Sequence, residues 1–430
     1  MDQFRGLRRV DVAIVGGGLT GFLLASALSQ DGCKVAVLEA SDSPHNPAAE
    51  CATLHYAEAF SRAAAAHELS TVRHYARGLQ THLNALLAAP LPYIQPMPAY
   101  LYARTAEALP LLEKHLVLLS QLALPVHTAP DAGGCPFPVE LSLYSQGAIV
   151  NLQHWMAALQ ASILRNGGKV YTSSRVTGID GSRLCTSQGA LQAATVVLTT
   201  GTPLGLRDPR LLALLESRST AHCHLIPDAP LHSIQQPIQA GISLFPTSSG
   251  VHAAMDLGRC GTRQEQKYFR QFGSKLTRLL PDWQQGEIQF STQVVSADGL
   301  PVIGTMPGSR MLFASGYGGC GILGAMHAAE VLHRRLTGHM APEDALYSPD
   351  RAFPRGLIQR EQRRIASLRA EGILRPRAPL CSHCSCRLRY FSPASRWECP
   401  SCGSACNMLG QPLSGPGMAP VAVSPRQRPN

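Results

Sequence analysis

Charge and aromatic surface are scarce in this chain: charged residues make up 15% of its 430 positions and aromatics 6%, with 3 Trp. No apolar run reaches the roughly 20 residues of a membrane span without a Gly, Pro or polar interruption. That excludes an obvious transmembrane helix, and no internal repeat points to a solenoid. The formal charge is +10, yet residues 351–430 hold 13 Arg, no Lys and 3 Asp+Glu. Subtracting these from totals of 38 and 28 leaves 25 against 25 over residues 1–350. The basicity belongs to the tail, and neither an aromatic ladder nor a helix-turn-helix pattern accompanies it, which argues against nucleic acid as a partner. Six of the 13 cysteines crowd between Cys381 and Cys406 and the other seven are scattered singly. This is the spacing of a metal site, not of a secreted disulfide framework, and it suits a reducing cytoplasm.

The N-terminus imitates a signal peptide, with basic residues 5–9 ahead of an apolar stretch over 12–28. Gly16, Gly17, Gly18 and Gly21 inside that stretch, and Asp11 at its head, fit a nucleotide-binding turn instead. Residues 10–15 read as a strand buried on both faces, followed by Gly16-Gly17-Gly18-Leu19-Thr20-Gly21, a helix to Ser29, and a second apolar strand over 34–38 ending in Glu39. In such a βαβ unit Gly16 makes the tight turn, Gly18 lets backbone N–H groups approach a pyrophosphate, and Gly21 permits close helix-on-strand packing. Glu39, 18 residues after Gly21, is placed to accept hydrogen bonds from ribose hydroxyls, and its charge disfavours a 2'-phosphate.

Residues 45–124 are mostly helical in pattern, with Leu79, Leu83, Leu86 and Leu87 at three-to-four spacing, and prolines near 90–98 break the pattern. A helix is expected over 155–166 and short strands near 169–171 and 195–199. A strand-rich stretch follows over 221–293, interrupted by a helix near 264–280, and a charged helical linker over 356–374.

A dinucleotide turn alone does not separate FAD from NAD. Farther on, Asp298-Gly299-Leu300-Pro301-Val302-Ile303-Gly304 precedes a strand over 311–314, then Gly316-Tyr317-Gly318-Gly319-Cys320-Gly321 opens a helix from Ile322. This pattern resembles the C-terminal signature of the D-amino-acid oxidase and glycine oxidase family. The resemblance implies FAD, with the second glycine loop (Gly318, Gly319, Gly321, Ile322) aiming a helix N-terminus at the flavin pyrimidine, where reduced flavin carries negative charge. It also implies that Gly201 ends a strand returning to the cofactor and that the Val176 backbone meets the adenine. Thr53-Leu54-His55-Tyr56 falls where relatives cross the flavin ring, so His55 either touches ring or substrate or is a packed histidine. Tyr317 is either a substrate-facing phenol or filler. Five residues before Asp298, where the amino-acid oxidases of this family hold a substrate carboxylate with arginine, stands Gln293. A neutral amide makes no bidentate ion pair, and a free amino acid is a doubtful substrate.

Cys381/Cys384 and Cys399/Cys402 form two C-x-x-C knuckles with 14 residues between them, a four-thiolate spacing. The run from Cys381 to Pro416 is similar to the Rieske module carried by one branch of these flavoproteins. That resemblance implies a 2Fe-2S cluster on Cys381, His383, Cys399 and position 402 as histidine, but Cys402 stands there and Cys384 is an added thiolate. Two alternatives stay open: a remodelled site on Cys381, Cys384, Cys399 and Cys402 holding zinc or iron, or a 2Fe-2S cluster with His383 in place of Cys384.

The expected fold is α/β: an FAD-binding Rossmann-type domain interleaved with an α+β antiparallel-sheet substrate domain, plus a small C-terminal metal-binding β module. Within residues 1–355 the FAD-binding segments are placed at about 8–60, 145–220 and 290–340 and the substrate domain at about 80–145 and 220–290. A helical linker over 356–376, the cysteine module over 377–420 and a disordered tail over 421–430 follow. The expected activity is FAD-dependent oxidation of a small amine-type substrate by hydride transfer. The alternative is a flavin and metal electron-transfer or docking protein that uses the Arg-rich module to meet a partner.

Overall fold

Strand Gly6–Val15 is parallel to Val35–Leu38 on one side and to Gly189–Leu198 on the other. Its side chains alternate between two buried faces, Val12 and Ile14 to one core and Ala13 and Val15 to another. The computed structural model describes residues 6–42, 51–53, 58–206, 208–239, 241–247, 249–318, 320–374 and 379–423. Around this strand the first sheet runs Val302–Thr305, Leu312–Ser315, Gly189–Leu198, Gly6–Val15, Val35–Leu38, Lys169–Tyr171, with the hairpin of Val176–Asp180 and Arg183–Thr186 added on Gly189–Leu198. Helix Leu19–Gln30 covers the first face, packed between Leu152–Arg165 and Gly321–Thr337. It is buried almost all round, through Leu19, Phe22, Leu24, Ala25 and Leu28, which is why its sequence lacks an amphipathic stripe.

The second sheet has nine strands, in the order Gln284–Ser296, Leu215–Ile226, Gly250–Arg259, Ser243–Thr247, Ile234–Pro237, Ile94–Ala103, Leu141–Val150 and Cys51–Ala52, with His127–Ala129 added on Leu141–Val150. Helix Arg263–Leu279 starts at Thr262, whose hydroxyl accepts the Glu265 N–H at 3.2 Å, and it buries Phe272 and Leu276 on this sheet against Ala221, Cys223 and Met255. The helical pattern breaks at these prolines as expected, helix Leu69–Ala88 ending ahead of Pro90, and beyond it Pro96 and Pro98 lie inside strand Ile94–Ala103. Over Ile94–Pro98 that strand pairs only with Leu141–Val150, because the parallel partner Ile234–Pro237 joins from Ala99 onward. Proline is tolerated where one edge of a strand is free. Residues 145–150, 215–220 and 290–296, expected within the FAD-binding segments, also contribute strands to this second sheet.

The C-terminal part is packed into the body. Helix Arg355–Leu374 buries Ile358, Ile365 and Leu368 in the same core as Ala13, Val15 and Leu198, and Cys386, Leu388, Trp397 and Cys399 of the C-terminal cysteine module, which is built on a four-stranded sheet, join that core. The segment expected as a linker is therefore a structural layer. On the other side Phe391 packs edge-on to Phe269 and Phe290 of the second sheet's layer. The expected disordered tail lies, from residue 424 on, outside the described residues.

Asp298 anchors the turn of the Asp298–Gly304 motif. Its carboxylate is fully buried and is met by Arg351 through two guanidinium nitrogens at 3.1 and 3.2 Å, by His67 Nε2 at 3.0 Å and by Ser296 Oγ. Burial alone would raise its pKa, but the His67 contact and the Arg351 charge override it and hold the group down at about 2, against an ordinary 3.8. A carboxyl held low stabilises the fold fully above its ordinary pKa, and that contribution, roughly 2 kcal/mol from the shift, is lost as pH falls from 3.8 toward 2. Asp298→Asn leaves Arg351 buried without its anion and is expected to lower the unfolding free energy at pH 7 by about 3 kcal/mol. Urea unfolding across pH should show the gap to the wild type narrowing below 3.8; a gap independent of pH would contradict this assignment.

Candidate functional site

The first glycine turn is shaped by close backbone contact. Gly16 adopts φ +109°, and a Cβ on Gly21 would stand 2.3 Å from the Gly16 carbonyl oxygen. Gly18 differs: at φ −74° and ψ 177° any residue could adopt its backbone, and a Cβ there would meet nothing within 4 Å. It faces a cavity. Glu39, at the end of strand Val35–Leu38, accepts the Gly17 N–H at 2.6 Å with one carboxylate oxygen and the Ser41 N–H at 2.8 Å with the other.

Two cavities adjoin this turn. One, of about 460 Å³, is lined by Gly16, Gly18, Glu39 and Val176, and the other, of about 370 Å³, by Gly18, Thr20, Gly201 and Gln293. They share Gly18, Thr199, Thr200, Ser414 and Gly415 as lining residues, so together they form one elongated trough. The second glycine loop reaches the same trough: Tyr317, Gly318 and Gly321 line its smaller part. Gly318 takes φ +61°, and Gly321 begins helix Gly321–Thr337. Thr20 Oγ1 joins the two loops by donating to the Tyr317 hydroxyl oxygen at 3.1 Å. Burial raises the Tyr317 pKa well above the ordinary phenol value, so the phenol stays neutral. Ile322 is packed in the core behind the loop. His55 and Gly319 lie outside the described residues.

Gln293 pairs in register with Arg218. That guanidinium is committed to Glu216 at 2.7 Å and to Asp256 at 2.6 Å, so the arginine facing Gln293 already has two carboxylate partners inside the protein.

At the C-terminal sheet, the Sγ atoms of Cys381, Cys384, Cys399 and Cys402 all lie within 4.8 Å of one another and all four residues are buried. Three of the S···S separations are 3.4, 3.6 and 3.7 Å. One ion about 2.3 Å from each of four tetrahedral sulfurs sets neighbours roughly 3.8 Å apart. The donor set therefore fits a single thiophilic ion, and His383 is not part of the group.

Residues 11–335 match the family described as DAO, FAD dependent oxidoreductase. The chain belongs to this family. Among solved structures, the oxidoreductase is similar to glycine oxidase from Geobacillus kaustophilus, at 21% identity and TM-score 0.63, over 80% of this chain and all of that one. It is also similar to iminodiacetate oxidase from Chelativorans sp., at 18% identity and TM-score 0.61 over 79% and 98% of the two chains. A third likeness is L-amino acid deaminase from Proteus myxofaciens, at 14% identity and TM-score 0.61 over 81% and 95%. No curated protein matches the chain. The family match ends at Leu336's predecessor, ahead of the cysteine module.

The residues present fit FAD. Two helix N-termini, at Leu19 and Gly321, open on one trough, and a helix start supplies unpaired N–H groups and partial positive charge to an anion. A side chain on Gly18 would project into open space at the trough. Sequence reasoning missed Thr20, Thr199, Thr200, Arg175 and Ser217, which line the trough. Short hydroxylic side chains carry no periodic signal, although Thr20 lay inside the first glycine motif and Thr199 and Thr200 just ahead of Gly201. Gly18→Val and Gly21→Val should separate binding from folding. The first is expected to keep the melting temperature and weaken FAD binding by about a hundredfold, close to 3 kcal/mol; the second is expected to lower the melting temperature, through the Gly16 clash. Equal behaviour of the two variants in flavin titration and thermal melts would refute the distinction.

Proposed function

We propose that this oxidoreductase oxidises a C–N or closely related C–H bond of a small amine that lacks a free α-carboxylate. The observation that carries this reading is the trough lined by two glycine-rich turns, each on a helix start, the first where its two cavities meet and the second in the smaller one. FAD, when bound, supplies the hydride acceptor at its N5. The chain's own residues hold and orient it. Gly16, Gly18 and Gly21 bare the backbone for the pyrophosphate, Glu39 takes the ribose hydroxyls, and the Val176 backbone meets the adenine. Gly201, Gly318, Gly319 and Gly321 surround the flavin end. Tyr317, neutral and held by Thr20, forms a wall of the substrate space and donates no negative charge to it. The first sheet with its helices serves as the FAD-binding domain and the second as the substrate domain.

Gln293 sets the substrate class. With a neutral amide in the cavity wall and Arg218 neutralised by Glu216 and Asp256, no guanidinium at this position is free to pair with an α-carboxylate. At the cysteine cluster the reading is one ion of zinc or iron on Cys381, Cys384, Cys399 and Cys402. Sulfurs 3.4 to 3.7 Å apart support it, because a two-iron cluster would divide its ligands between separated metals. The twelve described cysteines are free thiols, which suits a cytoplasmic protein.

The docking alternative draws less support from the structure. Arg351, Arg364, Arg369, Arg389 and Arg396 hold acceptors at Asp298, Pro400 O, Cys384 O, Glu371 and Glu398, so part of the tail's charge is spent inside the protein, mostly between the C-terminal helix and the cysteine module. The purified protein is expected to be yellow with a flavin spectrum, bleached anaerobically by an amine substrate. Colourless protein that takes up no added FAD would overturn the reading. Gln293→Arg is expected to shift the ratio of kcat/KM values toward carboxylate-bearing amines by about tenfold or more; an unchanged ratio would remove Gln293 from substrate selection.

A further inference from the structure

The cysteine cluster and the trough share residues. Cys402, itself one of the four clustered cysteines, and Gly403 line the smaller cavity, and Ser414 and Gly415 line both. Cys402 O accepts the Thr202 hydroxyl at 3.3 Å. Gly403, at φ +70°, lies so close to the second sheet that a Cβ would stand 2.5 Å from Ser217 Cβ.

A short relay ties the knuckle to the remaining wall. The Ser404 hydroxyl sits 3.1 Å from Cys402 Sγ and accepts the Gly417 N–H at 3.0 Å. A Cβ on Gly415 would meet Ser404 Cα at 2.7 Å. Arg175, whose own strand neighbour Val176 lines the larger cavity, donates to Leu413 O at 2.8 Å. Within the knuckle, the Cys399 N–H bonds to Ser404 O at 2.8 Å and the Gly403 N–H to Cys399 O at 3.0 Å. The segment 413–418 and the turn 402–404 are therefore positioned against the trough with little slack.

We infer that the ion held by Cys381, Cys384, Cys399 and Cys402 clamps the outer wall of the flavin trough, so that its removal loosens FAD; the inference rests on the flavin and single-ion readings above. Four sulfurs packed this closely in a buried site need a cation between them: as thiolates they repel one another, and as thiols they give up the shared bonds that hold the two knuckles together. Without the ion the Cys399–Cys402 knuckle relaxes, and Gly403, Ser404 and the strand that leans on Ser404 move with it. The ion thus has a positioning role and takes no part in the reaction.

The test uses the full-length FAD-loaded chain, a chelator, elemental analysis and the fluorescence of released flavin. FAD release is expected to follow metal loss, the metal-free chain is expected to bind FAD about tenfold or more weakly, and returning zinc or iron should restore the affinity. A metal-free chain that keeps the affinity of the loaded one overturns the clamp, as does a chain isolated with FAD and no metal; in both cases the flavoenzyme reading stands. Should chelation cost the chain its helical circular dichroism, Ser404→Ala decides with the metal in place. It is expected to weaken FAD about fivefold, the effect of one lost hydrogen bond, at unchanged metal content, and an unchanged FAD affinity overturns the clamp. A chain that takes up no FAD in any state refutes the flavin reading and the clamp together.

Discussion

The structure depends on one close approach of bare backbone, the contact between Gly21 and the Gly16 carbonyl. Only a residue without Cβ lets helix Leu19–Gln30 sit this tightly over the end of strand Gly6–Val15. The contact fixes where the helix starts, and hence where its unpaired N–H groups point. Thr199 is drawn into the same turn, its hydroxyl donating to Gly16 O at 2.9 Å, so the parallel neighbour Gly189–Leu198 ends at the same level. Glu39 closes the arrangement from the other side by taking the Gly17 N–H. Three strand ends thus meet at one place, where an open α/β sheet offers a binding crevice.

The opposite face of that sheet packs on Leu204, Leu206, Leu211 and Leu214, and the C-terminal helix extends the same core. Ala13, Val15, Ala36 and Leu38 are small or medium in size, and Ile358, Ile365 and Leu368 share that core with them. The helix that carries these three also carries Glu361, which takes Arg259 of the second sheet at 2.6 Å and Arg364 at 2.8 Å. A Gly261 N–H lies between the carboxylates of Glu265 and Glu398, 2.6 and 3.2 Å away. Through these contacts the module is fastened to both sheets.

Much of this was legible in residues 10–39 and 298–321, because a buried parallel strand, a glycine turn and a helix start each leave a local pattern. The two C-x-x-C pairs were legible for the same reason. Strand Ile94–Ala103 was not, since proline reads as a breaker and only the sheet reveals that Pro96 and Pro98 occupy a half-free edge. Nor was the role of helix Arg355–Leu374 visible: its charged faces look solvated until Glu361 and Arg364 find partners 36 to 102 residues away. The partner of Asp298, 53 positions on at Arg351, has no sequence signature at all. The arrangement of Cys402, Gly403 and Ser414 along the trough likewise follows from tertiary packing, which spacing cannot encode.

The trough draws its walls from residues as distant as Gly16 and Met418. The first glycine turn leaves the ribosome about 400 residues ahead of the last wall segment, and domains tend to fold in the order they are made. A nascent chain can therefore assemble the strands of its first sheet and still present an unroofed pocket until residues 413–418 have emerged. Cofactor retention becomes a sign of an intact C-terminus, and a truncated product would be left with an open groove in place of a closed one.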